Sequence, residues 1–146
     1  MLKKLLFAVA LAFGLAGGAA VSAAEPVRIA LHVDENDAAK MNLALNNAVN
    51  LIKHYEGEGR EVRIEMVANG PGLHMFRADT SPVADRLMQL SVERPQITYA
   101  ACANTRASMA AREDHEIALL DEAGEVPSGV VHLTERQMEG WAYIKP

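Results

Sequence analysis

Cys102 is the only cysteine in the chain and the residue with the most distinctive chemistry. It lies between an apolar stretch at residues 97–101, typical of a buried strand, and a polar stretch that begins with Asn104 and Thr105. Backbone N–H groups at a helix start favour an anion, so a thiol there ionises more readily than a free cysteine. Two interpretations remain open: a reactive thiolate, or a buried structural cysteine, since free cysteines are commonly buried.

Polar residues also follow two other predicted strands. In open parallel sheets ligands bind beyond the carboxyl ends of the strands, so we expect these residues to share one rim with Cys102. The expected rim residues are His32, Asp34, Asn69, Gly70, Gly72, Asn104 and Thr105. The turn at residues 69–72, Asn-Gly-Pro-Gly, either presents backbone amides to a small anion or is a plain turn. His32 and His74 are the histidines that could face Cys102 and act as its base.

Other site chemistries find no support in the residues. The histidines have no spacing typical of zinc, and no pair of carboxylates suggests acid–base hydrolysis, so we predict neither a metal nor a cofactor. Residues 1–24 contain two lysines and no acid, so the net charge of −5 for the whole chain becomes −7 for the rest. We expect such an acidic domain to bind nucleic acid and anionic lipid poorly, because these polyanions bind clusters of Lys and Arg side chains.

Residues 1–24 have the organisation of a secretory signal peptide. Lys3 and Lys4 precede an apolar run at residues 5–16, and small residues precede a cleavage point after Ala23 or Ala24. The run is shorter than the ~20 residues of a membrane span. We therefore expect a periplasmic domain at residues 25–146, with no membrane contact after cleavage. One cysteine allows no internal disulfide there.

Hydrophobic periodicity predicts alternating strands and helices. The predicted strands are 27–33, 61–68, 96–101, a short one near 125–126, and 141–144. The predicted helices are 37–56, 81–94, 104–113 and 128–139, with a short helical piece at 72–77. This order indicates an α/β fold, a flavodoxin-like three-layer α/β/α domain with a mostly parallel five-stranded sheet. The order of the strands within the sheet is not predicted.

Three finer expectations concern packing. Ser81 and Pro82 predict a helix start, a cap followed by proline at the first helical position. One side of that helix is predicted to hold Val83, Ala84, Leu87, Met88 and Ser91. Asn42, Asn46 and Asn50 form an amide stripe on the helix at 37–56, which is either solvated surface or a subunit contact. Trp141 and Tyr143 are expected in the core or against another subunit.

Six patches resemble, in order, the DsrE/DsrF-like family, and most closely its small single-domain branch. They are His32-Val-Asp34, Asn50-Leu-Ile52, Val67-Ala-Asn-Gly-Pro-Gly-Leu73, Tyr99-Ala-Ala-Cys-Ala-Asn-Thr105, Val126-Pro-Ser-Gly-Val-Val131 and Gly140-Trp-Ala-Tyr-Ile-Lys-Pro146. The resemblance covers residues 27–146. It implies a three-layer fold, homo-oligomers that are often trimers or hexamers, and sulfur relay as a persulfide on a cysteine at the end of a central strand. Cys102 matches that position, and Ala103 departs from the glycine usual after it.

These observations lead to three functional hypotheses. The first is a periplasmic sulfur carrier, with a sulfurtransferase role possible, in which Cys102 exchanges sulfur with a thiol-bearing donor or acceptor protein. The second is a non-catalytic homo-oligomeric module that binds a small anion at residues 69–72. The third is a thiol redox sensor in which Cys102 forms a sulfenic acid or joins another chain's thiol.

Overall fold

The computed structural model describes residues 25–146, and the predicted signal peptide lies outside them. The strands are β1 (Val27–Val33), β2 (Val62–Ala68), β3 (Ile97–Cys102), β4 (Ala123–Val126) and β5 (Ala142–Ile144). The α-helices are α1 (Ala38–Gly57), α2 (Ala84–Glu93), α3 (Ala103–Glu113) and α4 (Gly129–Met138), and a 3₁₀ helix spans Gly70–Phe76. None of these helices is long and apolar enough to cross a membrane.

All five strands are parallel and lie in the order β4-β3-β2-β1-β5. The chain steps from β1 to β4 towards one edge, then returns through α4 and places β5 on the other side of β1. The predicted α/β fold and its flavodoxin-like three-layer architecture are confirmed. The register pairs Val33 with Ala68, Ala68 with Ala101, and Cys102 with Val126. The carboxyl ends of these four strands therefore lie side by side along one rim of the sheet.

The two faces of the sheet are covered unequally. The larger core lies on the face of α1, α2 and α3, where Met41, Leu45, Leu87 and Met109 are buried. On the other face Leu133 of α4 packs over a small cluster made of Ala30, Val67 and Ala100. Side chains alternate between faces along a strand, so residues 32, 69 and 102, each two positions after one of these three, are directed to the α4 side.

Charged contacts fix helices to the rest of the fold. Arg136 of α4 donates from Nε to Glu65 Oε2 of β2 at 2.6 Å. The buried Arg77 follows the 3₁₀ helix and donates to Glu113 of α3 and to Asp79, at 2.7 Å in each case. Arg77 therefore holds α3 close to the 3₁₀ helix.

The first helix begins as the sequence predicts. Asp37 is its N-cap and accepts from the amides of Ala39 and Lys40 at 2.7 and 3.1 Å. The amide stripe on this helix is partly used inside the chain, because Arg86 of α2 donates to Asn42 Oδ1 at 2.7 Å and to Asn46 Oδ1 at 2.5 Å. Two of the three amides thus join α1 to α2.

The predicted start of α2 was wrong. The helix begins at Ala84, because the Ser81 hydroxyl donates to the Met75 carbonyl and ties this segment to the 3₁₀ helix. Leu87 and Leu90 of this helix face the core, whereas Met88 is 55% exposed.

Of the two placements expected for Trp141 and Tyr143, the core was wrong, and contact with another subunit stays a prediction. Trp141 is half-buried and lies under the Arg136 guanidinium, 5.0 Å from the ring centre. Tyr143 is 41% exposed.

Candidate functional site

Cys102 ends β3 and is itself the N-cap of α3. Its backbone is extended, and its Sγ accepts the amide N–H of Thr105 at 3.4 Å. An N-cap side chain normally satisfies one of the four free amides of the first helical turn with an oxygen. Here sulfur has that position, so the thiol lies at the positive end of the α3 dipole.

A second helix start meets the same sulfur. The backbone N–H of Gly129, the first residue of α4, contributes to lowering the pKa of Cys102. A Cβ on Gly129 would lie 3.0 Å from Asn69 Cβ and 3.2 Å from Cys102 Cβ, which is tighter than ordinary packing. A glycine at this position therefore lets the amide approach the sulfur.

Burial and hydrogen bonding act in opposite directions on the thiol. Burial raises the pKa of Cys102, but hydrogen bonds from the Thr105 hydroxyl and from the amides of Gly129, Thr105 and Asn104 lower it further than burial raises it. The net result is a pKa below the ordinary value for cysteine. Cys102 is 4% exposed, so the favoured thiolate lies in a nearly closed site.

The Thr105 hydroxyl connects the turn after β2 to the sulfur. Its oxygen accepts the N–H of Gly70 at 3.0 Å, so its own hydrogen is available to the thiolate. Gly70 adopts a φ of +50°, which glycine tolerates without strain. This contact links two of the rim residues expected from the sequence.

His32 and Asn69 lie on the same rim but do not act as a base for Cys102. His32 Nε2 is 3.1 Å from Asn69 Oδ1, and Nδ1 is 2.8 Å from the Tyr143 hydroxyl. Both contacts are satisfied when Nε2–H donates to Asn69 and Nδ1 accepts from Tyr143. Neither ring nitrogen is then free for the thiol. His32 instead orients Asn69, which packs against Gly129.

Asp34 and His74 have other partners. The hydrogen bond from Lys145, at 2.7 Å, lowers the pKa of Asp34 and makes this carboxylate part of an ion pair. His74 Nδ1 lies 2.8 Å from the Thr80 hydroxyl. Within the described residues, no hydrogen bond or ion pair joins either side chain to Cys102.

The turn at residues 69–72 has no free amide to offer an anion. The N–H of Asn69 donates to the Val33 carbonyl, that of Gly70 to Thr105, and that of Gly72 to the Asn69 carbonyl. Proline at 71 has no N–H. Of the two interpretations of this turn, the hydrogen bonds therefore favour the plain turn over an anion site. A Cβ on Gly72 would lie 2.2 Å from the Val33 carbonyl oxygen, so only glycine fits against β1.

Comparison with known proteins places the chain in a family. No protein-family profile and no curated protein matches it. Among solved structures it is similar to MTH1491 of Methanobacterium thermoautotrophicum, a protein of unknown function, with 35% identity and a TM-score of 0.70 over 82% of this chain and 99% of that chain. The chain belongs to the MTH1491 family. Membership of the MTH1491 family supports the fold, and the chemistry of the site is argued from the residues of this chain.

Sequence reasoning missed two residues of the site, Gly129 and Tyr143. Both lie in patches that the sequence already marked, 126–131 and 140–146, but neither has a side chain that suggests chemistry at Cys102. The signal for Gly129 was its position at a predicted helix start directly after a strand end. Such a start shares the rim with the other strand ends once the order of strands is known.

A cleft of 390 Å³ adjoins the site on the other side of Thr105. It lies between α3 and the 3₁₀ helix and is lined by Thr105, Gly70, His74 and Arg112, among others. Within residues 25–146, no group of three or more His, Cys, Asp or Glu side chains could hold a metal ion.

Proposed function

We propose that this protein is a sulfur carrier that holds a sulfane sulfur as a persulfide on Cys102 and passes it to a partner thiol. The observation that supports this best is the meeting of the α3 and α4 starts at Cys102 Sγ, which lowers the pKa of the thiol. The resemblance of residues 27–146 to the DsrE/DsrF-like family gives the same role to the cysteine at this position.

The chemistry requires two displacements at sulfur. The Cys102 thiolate attacks the outer sulfur of a persulfide R–S–SH, the S–S bond of the persulfide breaks, and the thiolate R–S⁻ leaves. A partner thiolate then attacks the outer sulfur of the Cys102 persulfide, and the Cys102 thiolate is the leaving group. Sulfur is transferred in each step, and no outside oxidant or reductant is needed.

The surroundings of Cys102 fit a carrier better than a hydrolytic enzyme. Thiol exchange needs a thiolate and a good leaving group but no general base, and here His32 and Asp34 are bound to other groups. The donors that stabilise the thiolate also stabilise it when it leaves from the persulfide. A moderately lowered pKa suits this role, because a very acidic thiolate is a weak nucleophile.

The two alternative functions have less support. The anion-binding module required free amides at residues 69–72, and those amides bond within the chain. A redox sensor would use the same lowered pKa of Cys102, and the resemblance of residues 27–146 to the DsrE/DsrF-like family favours the carrier over it. The proposal also includes a periplasmic location and a homo-oligomer, a trimer or hexamer, which N-terminal sequencing of exported protein and light scattering would test.

Intact-mass analysis tests the carrier directly. The protein without residues 1–24 is exposed to polysulfide or to thiosulfate, with Cys102→Ser as the control. We expect a gain of one sulfur atom on the wild type alone, reversed by a small thiol. Equal gains on both proteins, or no gain on the wild type with any donor, would reject the proposal.

A further inference from the structure

The sulfur of Cys102 is enclosed, although sulfur transfer requires a second sulfur to reach it. Cys102 is 4% exposed, and its side chain is directed to the face of the sheet that α4 covers. An S–S bond forms only when the other sulfur comes within about 2.05 Å of Sγ. An element that covers the sulfur therefore has to move before a partner thiol can exchange with it.

The elements on the α3 side of the sulfur are fixed. Cys102 is at once the last residue of β3 and the N-cap of α3, so α3 cannot move away from the sulfur. The turn at residues 69–72 uses the N–H groups of Asn69, Gly70 and Gly72 in hydrogen bonds within the chain. It also packs against β1 so closely that a Cβ on Gly72 would lie 2.2 Å from a backbone oxygen. Of the elements that meet at Cys102, α4 remains.

Helix α4 is held over the sulfur by few contacts. It buries only Gly129 and Leu133, whereas α1 buries five residues. Its N-cap, Ser128, makes no side-chain hydrogen bond to the first turn, a contact that commonly stabilises a helix start. Val131 and Met138 of α4 are 53% and 83% exposed, so neither anchors the helix. A segment with so little buried apolar surface opens at a lower free energy than the core.

The charged anchor of α4 lies towards the end of the helix that is far from Cys102. Arg136 donates to the buried Glu65 of β2 at 2.6 Å, and His132, one turn earlier, has Nε2 at 2.9 Å from the same carboxylate. Arg136 is seven residues from Gly129, about 10 Å along the helix axis at 1.5 Å per residue. The start of α4 can therefore leave the sulfur while its far end stays attached to β2.

We infer that α4 is a lid over Cys102, closed in this structure, and that opening of its first turns lets a partner thiol reach the sulfur. This inference rests on the proposed sulfur-carrier function and adds the step that controls it. The closed lid keeps a persulfide on Cys102 away from thiols in solution. When the lid is open, the partner thiolate attacks the outer sulfur, the S–S bond breaks, and the Cys102 thiolate leaves, as in the transfer given above.

The rate at which iodoacetamide alkylates Cys102 under native conditions at one pH measures the opening, because only the open form exposes the sulfur. Leu133→Ala removes the one large apolar side chain that α4 buries, so we expect it to speed alkylation by at least about tenfold. Leu87→Ala is the matched control, because it removes a buried leucine of the larger core on the other face and should leave the rate unchanged. Met138→Ala, an exposed position on α4 itself, should also leave it unchanged.

A urea series on the wild type tests the lid without any substitution, and it decides the question if Leu133→Ala does not fold. Alkylation is measured at urea concentrations below the unfolding transition. Opening of part of one helix exposes less surface than unfolding of the whole chain, so the logarithm of the rate should rise with a slope well below that of global unfolding. A slope equal to that of global unfolding, or a rate that ignores urea, overturns the lid.

The outcomes separate the lid from the carrier function. Equal alkylation of wild type and Leu133→Ala, or an equal acceleration by Leu87→Ala, overturns the lid and leaves the carrier standing. Loading of Cys102 from polysulfide, followed by mass, should rise in Leu133→Ala in the same proportion as alkylation. Loading that ignores this change also overturns the lid. If alkylation is faster in Leu133→Ala but no protein gains sulfur, the carrier fails and the lid stands.

Discussion

Thr105→Val removes the hydroxyl beside Cys102 and keeps nearly the same shape. The hydroxyl helps to lower the pKa of Cys102, and its loss leaves only the backbone amides on the sulfur. A hydrogen bond to a charged group contributes about 1.5–3 kcal/mol. At the low end of that range the thiolate population at neutral pH falls by about tenfold, since 1.4 kcal/mol is a factor of ten. The pKa of Cys102 therefore rises in the variant.

The rate of alkylation gives a sharper signature than the pKa alone. A more basic thiolate is also a better nucleophile, with a Brønsted slope of about 0.4–0.5. At low pH the variant reacts about threefold to fourfold more slowly than the wild type, because the fall in thiolate exceeds the gain in reactivity. At high pH, where both proteins are ionised, the variant reacts about threefold faster. The two rate profiles cross.

The assay is iodoacetamide alkylation over a pH series, followed by intact mass, with Thr105→Ser as the matched control. Serine keeps the hydroxyl that accepts from Gly70, so its profile should follow the wild type. A change in access to the sulfur would move the whole profile in one direction without a crossing. Profiles of wild type and Thr105→Val that coincide would refute the role assigned to the hydroxyl.

Three further outcomes follow from the structure. Gly72→Ala should lower the free energy of unfolding in urea by more than about 3 kcal/mol, because the new Cβ would clash with the β1 backbone. The control Gly57→Ala should be neutral or stabilising, because nothing lies within 4 Å of its Cβ. Equal effects of the two changes would contradict the packing argument. The hydrogen bond from Arg77 lowers the pKa of Asp79 to about 2, so the stability that this carboxylate contributes is complete above about pH 4 and is lost as the pH falls towards 2. The difference in unfolding free energy between wild type and Asp79→Asn should therefore shrink over that range. A constant difference would contradict the role of the Arg77–Asp79 pair. The lowered pKa of Cys102 predicts that the unfolding free energy of the wild type rises relative to that of Cys102→Ser as the pH increases to about 8.5, the ordinary thiol pKa, and levels off above it. A difference that falls with pH would show that the fold destabilises the thiolate.

The strands could be predicted well because their signal is local. Residues 27–33 alternate in polarity, and the observed β1 has those bounds. The start of α2 could not be predicted the same way. The Ser81 hydroxyl accepts the Val83 N–H at 3.3 Å, as a cap does, but it also donates to the Met75 carbonyl of the preceding 3₁₀ helix, a tertiary contact that residue types do not encode.

In the candidate site, too, the features that depend on neighbouring residues could be predicted, and those that depend on tertiary contacts could not. The position of Cys102 between a strand and a helix could be predicted, because it depends on neighbouring residues. The contribution of Gly129 depends on the strand order, and that order places α4 over the sheet face that Cys102 shares. The role of His32 as a base was inferred from its residue type. Its two actual partners, Asn69 and Tyr143, come from distant parts of the chain.

Helix α4 covers its face of the sheet with few buried residues, and it carries one of the groups that lower the pKa of Cys102. The pKa of Cys102 therefore depends on whether α4 has docked. In the order of synthesis Cys102 precedes Gly129, so until α4 docks the thiol has only the donors of α3, and its pKa is higher than in the folded protein. Leu133 and the Arg136–Glu65 pair are the main anchors of that helix, and a unit with few buried contacts opens more readily than the core. A brief pulse of alkylating reagent near neutral pH would therefore report when α4 has docked.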